Sequence, residues 1–257
     1  MSRKICIVQA RMSSTRLPGK VLLPLGDKAV LAHVLSRCLR ISGIDDVCCA
    51  TTTLPSDDEV AAEAERLGVR VFRGSESDVL QRYADAADAM NADVILRVTA
   101  DCPLLDPGVC AGTLALFEET SADFATNNTP PSWPHGLDCE VFGRELLCKA
   151  ADEAEAPFDR EHVTPFMRRL TNICQVNYPA PRQESQHRWT VDTPDDLAFL
   201  ERLFSLPGFE SKGMTCNGVL ELLESNPDLC AQSLDSIRAG KVADTRHHAI
   251  QSGSHAR

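Results

Sequence analysis

Apolar residues in this chain come in short unbroken runs and in helical stripes, one following the other with little between them. Ile5, Cys6, Ile7 and Val8 form a run without a polar member, the pattern of a strand buried on both faces. Over residues 27–42 the apolar positions Val30, Leu31, Val34, Leu35, Cys38 and Leu39 share a single helical face. Residues 47–51 read as a second buried strand. Ser56 reads as the cap of a helix that runs to Leu67 and stops at Gly68, with Asp57, Asp58 and Glu59 at its positive end. Residues 69–72 alternate as a strand, residues 78–90 place Val79, Leu80 and Tyr83 on one helical face, and residues 94–98 form the next strand. Such alternation predicts right-handed crossovers and an α/β fold, an open and mostly parallel sheet flanked by helices.

From about residue 121 the rhythm changes. Strands are expected over residues 123–126, 139–142 and 173–178, with a loop rich in Pro and Asn over 127–136. Helices are expected over 144–154 and, as one unbroken element, over 160–170. Residues 189–192 read as a last strand, and Thr193-Pro194 opens a helix with proline in its first turn. A further helix over 214–223 ends before Asn226-Pro227. There is no internal repeat and no interdomain linker. The expectation is one domain over residues 1–240, in two halves of different rhythm, 1–120 and 121–240. Residues 241–257 lack periodicity and read as a disordered tail.

Charge and composition narrow the function. The 257 residues carry a formal net charge of −11, which argues against nucleic acid or an anionic membrane as the main partner. No run of about 18 apolar residues occurs, and the first four residues pass straight into a strand, so neither a membrane anchor nor a signal peptide is expected. The 11 cysteines form no C-x-x-C and sit mostly inside apolar runs. They read as small buried hydrophobes in a reducing compartment rather than as zinc ligands, which points to the cytoplasm.

In so acidic a chain, the loop after the first strand stands out. Arg11, Arg16 and Lys20 accompany the hydroxyls of Ser13, Ser14 and Thr15 and a turn at Pro18-Gly19. A solvated surface loop often holds cations for no further reason. Yet open α/β sheets bind ligands outside the carboxyl ends of their strands, and clustered cations beside hydroxyl donors suit a multiply charged anion. A triphosphate fits best. The loop is not a Walker motif, since no glycine stands five residues before Gly19-Lys20 and Val21 replaces the Ser or Thr. No G-x-G-x-x-G occurs for a dinucleotide.

Two carboxylates emerge at strand ends. Asp101 follows the run 94–98, and Asp192 ends the run 189–192. On the ligand-binding edge of a sheet they suit magnesium, which takes one or two carboxylates and completes its shell with phosphate and water. Singly, each also reads as a cap, Asp101 before Pro103 and Asp192 before Thr193-Pro194. In the irregular second half His135, Asp138, Glu140, Arg160, Glu161 and His162 form a polar cluster where substrate loops belong. Asp138 and Glu140 would share one face of a strand. His162 suits either a base or an orienting role. Trp189 reads as core.

At these residues the chain resembles a family. Residues 8–20 are similar to the Ala-Arg-x-x-Ser-x-Arg-Leu-Pro-x-Lys signature of the CMP-sugar synthetases, and closest to their spore-coat polysaccharide (SpsF-like) branch. Segments 72–83, 97–107, 135–142, 160–165 and 190–197 resemble that branch in order, so that residues 3–205 are covered. Ser13 departs from the pattern, standing where many relatives have glycine. The resemblance implies a GT-A-like fold and a cytidylyltransferase that moves CMP from CTP to a sugar acid or related small acceptor, releasing pyrophosphate. It implies that Arg11, Arg16 and Lys20 hold the triphosphate and carry the catalysis, with Ser14 and Thr15 donating hydrogen bonds. Asp101 and Asp192 would bind Mg2+. Gln9, Ala10, Thr51 and Thr52 would line the cytosine pocket, Asp78 and Arg82 would approach the nucleotide, and Arg97 would join the acceptor cluster. A homodimer is the implied assembly. Two rivals stand beside this reading, a GT-A glycosyltransferase and a non-catalytic nucleotide-binding regulator. Against the first, no Asp-x-Asp occurs; against the second stand the intact cations and carboxylates.

Overall fold

The computed structural model describes residues 2–233; the expected tail at 241–257 lies outside them. The chain opens with strand β1 (Lys4–Gln9), a two-residue ribbon of β2 (Pro24–Leu25) and β3 (Lys28–Ala29), and helix α1 (Val30–Cys38). It continues through β4 (Asp46–Thr52), α2 (Asp58–Arg66), β5 (Arg70–Gly74), α3 (Val79–Ala89), β6 (Val94–Thr99) and α4 (Pro107–Thr120). The later part contains β7 (Phe124–Thr126), β8 (Glu140–Gly143), α5 (Arg144–Glu153), α6 (Pro157–His162), α7 (Pro165–Arg169) and β9 (Gln175–Asn177). Helices α8 (Pro194–Phe204), α9 (Phe209–Lys212) and α10 (Cys216–Glu224) follow, and residues 227–233 are helical.

Seven strands form one sheet in the order β5-β4-β1-β6-β8-β7-β9. All neighbours run parallel except β8, which is antiparallel to both β6 and β7. The unbroken apolar run of β1 follows from its place at the centre, where successive side chains enter two different cores. Cys6 and Val8 face the layer of α1, α2 and α4, whereas Ile5 and Ile7 face that of α3, α5 and α7. A third cluster packs Trp189 and Val191 with α8 and α10, so Trp189 is core, as its sequence context predicts. The chain visits β4 and β5 on one side of β1, then crosses to β6 on the other. That reversal leaves a crevice beyond the carboxyl ends of β1, β4 and β6.

Several elements differ from the sequence pattern. The helix expected over 27–42 begins only at Val30, because residues 24–29 turn as the ribbon through Gly26 (φ 63°). The single helix expected over 160–170 is two, broken at buried Val163 with φ 71°. Pro165 explains the break: it lacks the amide a continuing helix needs and takes the first position of a new one. Residues 189–192 are extended but join no strand of the sheet. They hydrogen-bond to loops, Trp189 N to His135 O at 2.7 Å and Val191 N to Asp101 O at 2.8 Å. Helix α4 was not foreseen; its apolar residues and two glycines mask the amphipathic stripe, although Asp106-Pro107 is a start signal. Ser56 does not cap α2, and Asp57, at the cap position, turns its carboxylate elsewhere. Among the described residues no helix is long and apolar enough to cross a membrane, and every cysteine is a free thiol.

Candidate active site

A cavity of about 350 Å3 opens at this crevice. Gln9 ends β1 at its floor, and the loop that follows supplies Ala10, Arg11, Ser14, Thr15, Arg16 and Lys20 to its wall. The loop closes on one peptide: Met12 O accepts from Ser14 N at 2.8 Å and from Gly19 N at 3.0 Å. Gly19 adopts φ 71°, a left-handed conformation that glycine takes without strain. Lys20 then begins a single 3-10 turn, which aims its side chain inward.

Lys20 Nζ donates to Asp101 Oδ2 at 2.7 Å and to Asp192 Oδ1 at 2.8 Å. The two carboxylates, 91 residues apart in sequence by their numbers, are thereby shown to lie within reach of one cation. Arg16 reaches the same Asp192 oxygen at 2.9 Å from a mostly exposed position. Burial works against charge on Asp101, but the Lys20 charge and hydrogen bond outweigh it and hold the carboxyl down to about 2. Lys20 is raised in turn; burial opposes its charge and the two aspartates prevail. Asp192 is lowered despite burial and the nearby Asp101 charge, through Lys20 and Arg16. Its other oxygen, Oδ2, accepts from Arg188 at 2.5 Å, and Arg188 also donates to Asp196 Oδ1 at 3.2 Å. Asp196 belongs to the capping box of α8 with Thr193, so the residue beyond Asp192, not Asp192 itself, caps that helix.

The opposite end of the cavity is built differently. Arg11 donates to Glu76 O at 3.2 Å and lies 3.3 Å from Glu161 Oε1. Arg82 is 1% exposed, has an unpartnered Nε and donates to Ser75 O. Burial lowers its pKa, against the opposing influence of Tyr83 and Asp57. Arg97 bridges strands, donating to Glu140 Oε2 at 2.5 Å and to Gln9 Oε1 at 3.1 Å. Glu161 and His162 enter from α6; burial lowers the His162 pKa, so its imidazole is neutral at pH 7.

The remaining candidates do not border the cavity. Thr51 and Thr52 are buried at the end of β4, the first with an unpartnered hydroxyl and the second donating to Asp57. Asp78 caps α3 and accepts both Nε and Nη2 of Arg160, which also donates to Ala151 O, so this pair braces α6 against α3. Glu140 is 2% exposed and is occupied by Arg97, Arg168 and Thr164. His135 Nδ1 and Asp138 Oδ2 lie 2.8 Å apart on the loop before β8. Two residues that support the site from behind its lining escaped the sequence pattern. Arg188 has the signal of standing four positions before Asp192. Asp57 was hidden in a run of acids that reads as ordinary helix-dipole compensation.

Residues 5–226 match the family model described as cytidylyltransferase. The spore coat polysaccharide biosynthesis protein SpsF of Bacillus subtilis is 32% identical over 241 residues, covering 90% of this chain and 98% of its own. A 3-deoxy-manno-octulosonate cytidylyltransferase of Solibacter usitatus is 27% identical over 258 residues, covering 83% of this chain and 99% of its own. Among solved structures, a cytidylyltransferase from Leptospira borgpetersenii superposes with a TM-score of 0.85 at 35% identity, covering 89% of this chain and 97% of that one. The cations and paired carboxylates therefore sit on the edge of a shared fold, and the chain belongs to the cytidylyltransferases, CTP-dependent nucleotidyltransferases.

Proposed function

We propose that this protein transfers CMP from CTP to a sugar acid or related small acceptor, with release of pyrophosphate, in surface polysaccharide or glycoconjugate biosynthesis. The observation that carries the reading is Lys20 bridging Asp101 and Asp192 beside Arg16 at the carboxyl edge of the sheet. The names of two relatives support the acceptor class, one a polysaccharide biosynthesis protein and one a cytidylyltransferase of a sugar acid.

Two hard carboxylate oxygens that already share one cation fit a magnesium ion, which fills its remaining positions with phosphate oxygens and water. Asp101 and Asp192 would hold it, and when bound it supplies charge neutralisation on the phosphates. Arg11 and Arg16 present guanidinium forks to the triphosphate, with Ser14 and Thr15 as hydroxyl donors. Gln9 and Ala10 border the nucleoside. The acceptor oxygen attacks the α-phosphorus, forming the new P–O bond as the bond to the β-phosphate oxygen breaks and its electron pair leaves with pyrophosphate. Lys20 turns from the carboxylates to the phosphoryl oxygens, where charge develops. Neutral His162 takes the proton of the acceptor hydroxyl. A cytoplasmic homodimer belongs to the same proposal.

The test incubates the protein with each of the four nucleoside triphosphates, Mg2+ and a panel of sugar acids and phosphorylated polyols, reading pyrophosphate. Release with CTP alone that needs both an acceptor and the metal supports the reading. CTP binding without release under any acceptor favours a regulator, and absence of CTP binding overturns the proposal.

A further inference from the structure

We infer that Asp57 is the positioning residue of the triphosphate loop, holding in place from outside the cavity the backbone on which Arg11, Ser14, Thr15, Arg16 and Lys20 are mounted. Asp57 ends the 3-10 turn (Pro55–Asp57) that runs into α2, and Asp58 N bonds Pro55 O within that turn, so the start of the helix does not draw on the Asp57 side chain. The side chain, 1% exposed, turns to the neighbouring loop instead: Oδ1 accepts from Met12 N at 2.7 Å and Oδ2 accepts from Thr52 Oγ1.

Met12 is the hinge of the loop. Its carbonyl accepts from Ser14 N and Gly19 N, closing the segment on itself, and its side chain packs on the core under α1. With the amide of the same residue tied to Asp57, both polar ends of one peptide neighbourhood are anchored. The loop is thereby tied at Met12, between β1 and the 3-10 turn of Lys20. Two further points favour positioning over simple burial. The carboxylate comes from a different strand–helix unit, 45 residues away, so it fixes the distance between two crevice walls. The preceding 3-10 turn closes the start of α2, which leaves the carboxylate available for this contact. Preorganised donors contribute to binding only if they do not have to be ordered at that moment.

This inference rests on the reading that the loop grips a triphosphate, so the experiment separates the two. Calorimetry would compare CTP and CMP binding for the wild type, Asp57→Ala, Asp57→Asn and Arg16→Ala, with amide hydrogen exchange over residues 12–20 recorded without nucleotide. Asp57→Ala is expected to weaken CTP binding about tenfold to hundredfold, to leave CMP binding nearly unchanged and to speed exchange across the loop. Asp57→Asn keeps an oxygen for Met12 N, and Thr52 can reverse its hydrogen bond, so the amide is expected to rescue most of the loss. Unchanged exchange in Asp57→Ala, or an equal loss in both variants, would overturn the positioning role. If Arg16→Ala leaves CTP binding intact, the triphosphate reading fails, while the exchange data still decide whether Asp57 holds the loop. Should Asp57→Ala not fold, the wild type alone suffices: fast exchange of the Met12 amide would refute the anchor.

Discussion

The Nζ of Lys20 sits 2.7 Å from Oδ2 of Asp101, although the two residues lie 81 positions apart and belong to different loops. With Asp192 on its other side, the ammonium occupies the position between two carboxylates that a divalent cation would share. Without that ammonium no cation would bridge the two carboxylates, although Arg16 and Arg188 would still reach Asp192, and like charges at short range disfavour the doubly ionised state.

In the proposed reaction Lys20 has two roles, which two readouts of one substitution separate. Lys20→Met is expected to lower kcat by on the order of a hundredfold, as loss of a donor to developing charge commonly does. In the same variant without nucleotide, Mn2+ binding followed by electron paramagnetic resonance is expected to tighten by about tenfold, since a competing cation is gone. Unchanged turnover in folded Lys20→Met would remove Lys20 from the chemistry.

Glu140 was expected among acceptor contacts, and the structure gives it another occupation. It is buried between Arg97 and Arg168 with Thr164 donating to it; burial would raise its pKa, and the two guanidiniums hold it lowered. Removing one partner of such a buried network leaves its charges uncompensated, at about 3–5 kcal/mol. Glu140→Ala is expected to lose stability on that scale in urea denaturation. A stable variant with only a raised acceptor KM would return Glu140 to substrate binding.

Gly136 lets two loops touch. At φ 111°, a Cβ built on it would meet the carbonyl carbon and oxygen of Trp189 at 2.8 Å. Gly136→Ala must push away the segment that carries Arg188 and Asp192, at about 1–3 kcal/mol for overpacking. Both a lower Tm and weaker Mn2+ binding are expected; a Tm loss with unaltered metal affinity would show that the shift stops short of Asp192.

The His135–Asp138 pair should leave a pH signature on stability. Burial lowers the His135 pKa, but the Asp138 hydrogen bond and charge outweigh it and raise the value above 6.5. A raised pKa stabilises the folded state fully below 6.5 and loses that contribution as pH rises through the folded value. Asp138, lowered against burial by the same partner, loses its contribution as pH falls below the ordinary carboxylate range. Denaturation at pH 6 and at pH 8.5 should show a decline in the wild type that is absent in His135→Gln.

The central architecture was legible from the chain alone, because local rules suffice for it. Runs such as Ile5–Val8 could only be strands buried on both faces, and helical stripes such as Val30, Leu31, Val34 and Leu35 could only lie against them. The basic loop was legible for a related reason: it follows a central strand, and a parallel sheet presents its carboxyl ends on one edge. What the sequence could not state was who partners whom. Asp78, Arg160 and Glu140 looked like free chemistry and are engaged in ion pairs across 82 and 43 positions. Asp57, which read as a charge at the positive end of a helix, and Arg188, which no pattern singled out, bond Met12 N and Asp192. Residues 189–192 read as a strand because they are extended and apolar, yet loops at 101 and 135 take up their hydrogen bonds. Periodicity records which face of an element is buried, a property of neighbours in sequence. The partner of a charge is chosen by neighbours in space, and only the folded chain brings those together.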